Sequence, residues 1–156
     1  MPTFAIWVAA GLALVSAPAP EAQGLAALVG RYKITAGASG TVEIGPALGG
    51  SFYELRVVFT DVPHELRYLI ATAEAGGARP VWRFEAEPAP AVRNEGIVRF
   101  EGNELIAEFP HKAAGSARVF RERWKLNATG ELDFALETIS GGAVVRRVGN
   151  FTASRQ

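Results

Sequence analysis

Glu122 is the residue of this 156-residue chain whose sequence neighbours most suggest chemistry. It lies between Phe120 and Trp124 in an alternating segment, so on a strand all three side chains share one face. A carboxylate among rings is unfavourable unless it is paired or hydrogen-bonded. Arg146 and Arg147 in the last segment are candidate partners, and so is a donor on a bound molecule. Burial would raise the Glu122 pKa and a paired arginine would lower it. Three roles fit: contact to a ligand's polar group, a general acid or base in a cup, or a structural Glu–Arg pair. A one-residue slip in register would instead put Glu122 outside.

Other candidates are aromatic. Tyr53 alternates with Leu55, Val57 and Phe59. Trp82 and Phe84, then Phe100, then Phe120, Trp124 and Leu126, then Leu132, Phe134 and Leu136 continue the same rhythm. If these segments belong to one closed sheet, the rings line its inside. Such walls suit a flat or greasy ligand, although small barrels also pack solid. The expected ligand-contacting set is Tyr53, Trp82, Phe84, Phe100, Phe120, Glu122, Trp124, Phe134 and Arg146. His64 and His111 sit in turns beside prolines and read as solvated. No donor set has metal-ligand spacing, and no Gly-x-Ser-x-Gly elbow occurs. Glu85/Glu87 and Glu101/Glu104 read as exposed charges. No catalytic residue, metal or cofactor is assigned, and catalysis is the less favoured reading.

The elements that must position these residues are short and end at Gly, Pro, Asn or Asp. Residues 21–29 place Leu25, Leu28 and Val29 on one face of a short helix. Alternating segments follow at 30–35, 40–44, 51–60, 66–73, 81–86, 97–101, 104–109, 118–126, 131–138 and 144–152, and 87–94 reads as a Pro-rich connection. Gly102-Asn103 and Gly141-Gly142 are tight turns. Short links throughout predict an all-β, up-and-down antiparallel barrel of about ten strands, since closure removes sheet edges. A Greek-key sandwich needs longer crossings.

Composition sets further bounds. Hydrophobic residues make up 49% and charged residues 21%, which is globular. Lys+Arg and Asp+Glu are both 16, so no net field draws in nucleic acid. Scattered single arginines read as a solvated barrel exterior. The absence of cysteine excludes disulfides and thiol chemistry. Met1–Ala22 reads as a signal peptide: residues 4–17 form a charge-free apolar run of about 14 residues followed by small residues. A bilayer span takes about 20, so no stable membrane span is expected. Residues 23–156 are then the barrel domain. The expected location is the periplasm or exterior of a bacterial cell. Asn127-Ala-Thr129 and Asn150-Phe-Thr152 match the glycosylation pattern, which arises by chance at this length.

Several stretches resemble the lipocalin-like (calycin) superfamily. Lipocalins begin with a helical turn and a Gly-x-Trp strand, often with a last-strand arginine over the ring. This chain has Gly30-Arg31-Tyr32, with Arg146 or Arg147 as candidate covers. Leu48–Leu55, Arg121–Trp124 and Leu132–Leu136 resemble segments of small bacterial proteins of this type. The resemblance implies a barrel with an apolar cup and no reaction. Some related ten-stranded barrels hold haem through a histidine, but neither histidine here matches that pattern. The functional expectation is a barrel that binds a small apolar or aromatic ligand. The alternatives are an enzyme using Glu122 as acid or base, and a packed interaction module.

Overall fold

A computed structural model describes residues 20–73, 77–85, 92–111 and 117–156. Helix α1 (Pro20–Leu28) precedes ten strands: β1 (Gly30–Ala36), β2 (Gly40–Ala47), β3 (Phe52–Phe59), β4 (Glu65–Ala71), β5 (Arg79–Glu85), β6 (Val92–Glu101), β7 (Glu104–Pro110), β8 (Arg118–Leu126), β9 (Leu132–Ser140) and β10 (Ala143–Arg155). Each strand pairs antiparallel with the next, and β1 pairs with β10, so the sheet closes into an up-and-down barrel. Much of the leader segment lies outside the described residues. No described helix is long and apolar enough to cross a membrane.

Closure rests on the last residues of β10. Tyr32 faces Arg155, Ile34 faces Ala153 and Ala36 faces Thr152. The strand therefore runs three residues beyond the expected end at Thr152, because pairing with β1 overrides its polar composition. Strand β6 likewise begins at Val92, inside the segment read as a connection. Arg93, Asn94 and Glu95 pair with Phe84, Arg83 and Trp82, so ladder hydrogen bonds offset weak local propensity.

The two barrel ends differ. Helix α1 lies at one, where Leu25 and Leu28 are buried against the core. Gly24 lets the Phe100 ring come within 2.7 Å of the place a Cβ would occupy. Arg155 ties this end together: its Nη2 donates to the carbonyls of Ala27 and Val29, each at 3.1 Å, and to the Tyr32 hydroxyl at 2.9 Å. Its guanidinium carbon lies 5.4 Å from the Tyr32 ring centre, within cation–π range. The Tyr32 hydroxyl in turn donates to the Leu28 carbonyl at 2.8 Å. The opposite end carries the β1–β2, β3–β4 and β9–β10 connections.

Between the ends, inward side chains form a ring-rich core. Phe59 meets Phe151, Phe151 stacks on Phe134 at 4.8 Å, Phe134 packs on Trp124 at 4.4 Å, and Trp124 meets Tyr68 edge-on. The outside carries arginine–glutamate pairs across strands: Arg31–Glu43, Arg56–Glu65, Arg67–Glu54, Arg123–Glu104, and Glu108 shared by Arg99 and Arg121. The scattered arginines thus form cross-strand pairs on the exterior, each contributing under about 1 kcal/mol.

Gly96 is a tight spot in the wall at which the backbone φ is ordinary. A Cβ there would lie 2.2 Å from the Glu108 carbonyl oxygen and 2.7 Å from the Phe109 ring. Gly96→Ala should therefore lower unfolding stability by about 1–3 kcal/mol, measured by urea denaturation; an unchanged midpoint would mean that β6 and β7 are not packed this way.

Candidate functional site

The inward face of each strand decides what meets inside. On β4 it carries Leu66, Tyr68 and Ile70, all buried. Across β5 these pair with Glu85, Arg83 and Val81, which places Arg83 and Glu85 on the inner side of β5. On β8 the inward residues are Phe120, Glu122 and Trp124. Arg83 and Glu122 meet inside the barrel, with Arg83 Nε 3.3 Å from Glu122 Oε1. Arg83 also holds Glu85 through Nη1 at 2.9 Å.

Tyr68, Arg83 and Glu122 form a buried polar group. The Glu122 side chain is 0% exposed and that of Arg83 12%. Glu122, Arg83 Nε and the Tyr68 hydroxyl have no hydrogen-bond partner outside this group; they face one another, with Tyr68 a hydrogen-bonding neighbour of both Glu122 and Arg83. The 3.3 Å approach of Arg83 to Glu122 is an ion-pair contact and not an aligned hydrogen bond. Such groups are costly to bury. Burial pushes the Glu122 carboxyl pKa up, although the Arg83 charge pulls against it. Burial first, and then the Glu122 charge, hold the Tyr68 hydroxyl well above its usual range. Burial works against the Arg83 charge, but Tyr68, Glu122 and Glu85 outweigh it, so the guanidinium stays protonated.

Above this group lies the end of the barrel remote from α1. The Phe59 ring stacks with His64 at 5.7 Å, and Phe120 packs against His111 at 5.0 Å. All four are half-buried, as is Leu136. These two ring pairs lie at the mouth, the barrel end that also carries Glu85, and Val57, Leu66 and Phe109 are buried toward that same end. The outer grooves have a different chemistry. One of about 650 Å³ runs over β8–β10, where Arg123, Lys125, Asp133, Glu137 and Arg147 stand beside Phe134, Leu136 and Val148.

The sequence-derived candidates scatter when mapped. Trp124 and Phe134 lie in the packed core, and Phe120 and Glu122 lie together toward the mouth. Tyr53 and Phe100 belong to the α1 end, where Phe100 packs against α1 near Gly24. Trp82 and Phe84 do not line the interior: the register that turns Arg83 inward turns them outward, and Trp82 meets Phe52 there at 5.9 Å. Arg146 is exposed near the free end of β10 and does not reach Glu122. Arg147, 86% exposed, approaches Glu137 at 3.6 Å. The partner of Glu122 is Arg83, and the cover of Tyr32 is Arg155. Sequence reasoning missed Tyr68 and Arg83. Their signal was available, since Leu66, Tyr68 and Ile70 alternate, but two rings in β5 outweighed one arginine.

A scan of protein-family models finds no match to this chain, and a search of curated proteins returns no relative.

Removing one charge from the interior should cost more than removing both. Arg83→Ala is expected to destabilise the fold by about 3–5 kcal/mol by stranding Glu122, whereas Arg83→Met with Glu122→Leu should recover most of that loss in chemical denaturation. Because Glu122 is shifted upward on folding, its protonated form is favoured: that contribution is complete below the unfolded pKa and is lost as pH rises through the folded one. Glu65, Glu104, Glu108 and Glu131 are shifted the other way and add stability as pH rises, so Glu122→Gln should make the melting temperature rise more steeply from acid to neutral pH than in the wild type. An identical pH profile in the variant would contradict the burial of this carboxylate.

Proposed function

We propose that this barrel is a lipocalin-like carrier that binds a small aromatic or aliphatic molecule at the mouth remote from α1, without transforming it. The observation that carries this reading is the buried polar Tyr68–Arg83–Glu122 group inside the barrel, at whose near end half-buried rings lie. Ring walls supply affinity by burial, at roughly 25 cal/mol per Å² of apolar area, and the polar floor supplies orientation. The lipocalin-like kinship is supported by a capping N-terminal helix and by Arg155 over the ring of Gly30-Arg31-Tyr32. Export through a leader at Met1–Ala22 fits a scavenging or carrier role outside the cytoplasm.

A second reading is a packed module that works through its exterior. Its support is the density of the interior on both sides: Tyr32 and Leu132 toward α1 and Val57 toward the mouth are fully buried.

The neutral probe N-phenyl-1-naphthylamine separates the two. Saturable binding to the full chain, weakened about tenfold by Phe120→Ala, is the expected outcome. Non-saturable fluorescence in the wild type, equal to that of the variant, would favour the packed module.

A further inference from the structure

Barrel closure does not use the whole of the last strand. β10 runs over Ala143–Arg155, but only Thr152–Arg155 pair with β1. On its other side β10 pairs with β9 from Ala143 to Ala153. From Ala143 to Gly149 the backbone groups that point away from β9 therefore have no strand partner among the described residues. The β1–β2 turn marks the lower limit of this open edge, since a Cβ on Gly37 would lie 2.3 Å from the Asn150 carbonyl oxygen. At the rise of a strand the open stretch measures about 20 Å.

An edge of this kind is a template for a further strand, and its side chains suit one. Every residue of the stretch is exposed. Val144, Val145 and Val148 are 46%, 55% and 46% exposed, and among the described residues they are three of the six large apolar side chains left so open. β-Branched residues also fit a pleated pair.

The charge on the stretch selects the partner. Arg146 and Arg147 are its only charged residues. Arg147 is 86% exposed, with Glu137 at 3.6 Å, and Arg146 is exposed beside it. A second copy of the chain is disfavoured, because an antiparallel β10–β10 pair centred on these residues sets arginine against arginine, and like charges across a strand pair are destabilising. An extended segment with carboxylates opposite the arginines and β-branched residues opposite the valines meets both features.

We propose that Ala143–Gly149 is a docking edge for an extended acidic segment of another protein, which adds as a strand beside β10. This role is separate from ligand binding inside the barrel and does not depend on it.

Fluorescence anisotropy on the full chain with two labelled peptides of one pattern tests this: Thr-Glu-Val-Glu-Val-Thr and Thr-Lys-Val-Lys-Val-Thr. Saturable binding of the acidic peptide, about tenfold or more tighter than the basic one and weakened by salt, is the expected result. Amide hydrogen exchange across Ala143–Gly149 should slow in the complex. Arg146→Glu with Arg147→Glu should reverse the order of the two peptides, and a melting curve checks that this variant stays folded. Proline in place of the central valine of the acidic peptide should abolish its binding, because it removes a ladder donor. No saturable binding of the acidic peptide, equal binding of the two, or unchanged exchange at Ala143–Gly149 overturns the proposal. Exchange there that slows with rising protein concentration, without peptide, overturns it in favour of a second copy.

Discussion

Closure of the sheet is the constraint on which the rest of this molecule depends. Once β10 pairs with β1, every second side chain of ten strands must share one interior of fixed width. No strand can slip by one residue without exchanging its whole inner and outer sets. The seam is short, involving only the last four residues of β10. It is reinforced from inside the chain's own terminus by Arg155, which bonds Tyr32 and the carbonyls leading out of α1. One side chain thus joins the first strand, the last strand and the capping helix.

The same constraint explains why charge is found inside. Arg83 shares a face with Val81, and Glu122 shares one with Trp124, so a register that buries Val81 and Trp124 also carries Arg83 and Glu122 inward. Inside the barrel they meet at 3.3 Å, and Arg83 also pairs with Glu85. An ion pair in this setting contributes little net stability compared with apolar residues of the same volume. The exterior follows the opposite logic: arginines and glutamates pair across strands in water, where burial costs them little.

The architecture was legible in the sequence. Period-2 alternation, glycine turns and short links are enough for an up-and-down barrel, and ten segments were marked at nearly their true places. The inward position of Glu122, Trp124 and Phe134 was also legible, because ring–carboxylate–ring alternation on β8 has one consistent reading. The face of β5 was not. Trp82 and Phe84 are more hydrophobic than Arg83, so local composition favours them inside; only pairing with Tyr68 across β4 reverses that choice. The partner of Glu122 was missed for the same reason. Arg146 and Arg147 follow the right residue type, but bulges in β10 and the free upper part of that strand leave them in solvent. Contacts across the barrel, between strands far apart in sequence, leave no periodic trace in either strand alone.

The central claim is that Arg83, and not Trp82, shares the barrel interior with Tyr68, Glu122 and Trp124. Nuclear Overhauser contacts in the isotopically labelled protein test it directly. Cross-peaks from the Arg83 side-chain methylenes to the Tyr68 ring, with the Trp82 ring touching Phe52 instead, are the predicted result. Cross-peaks from the Trp82 ring to Trp124 or Tyr68, with an Arg83 guanidinium exchanging at the solvent rate, would contradict the account.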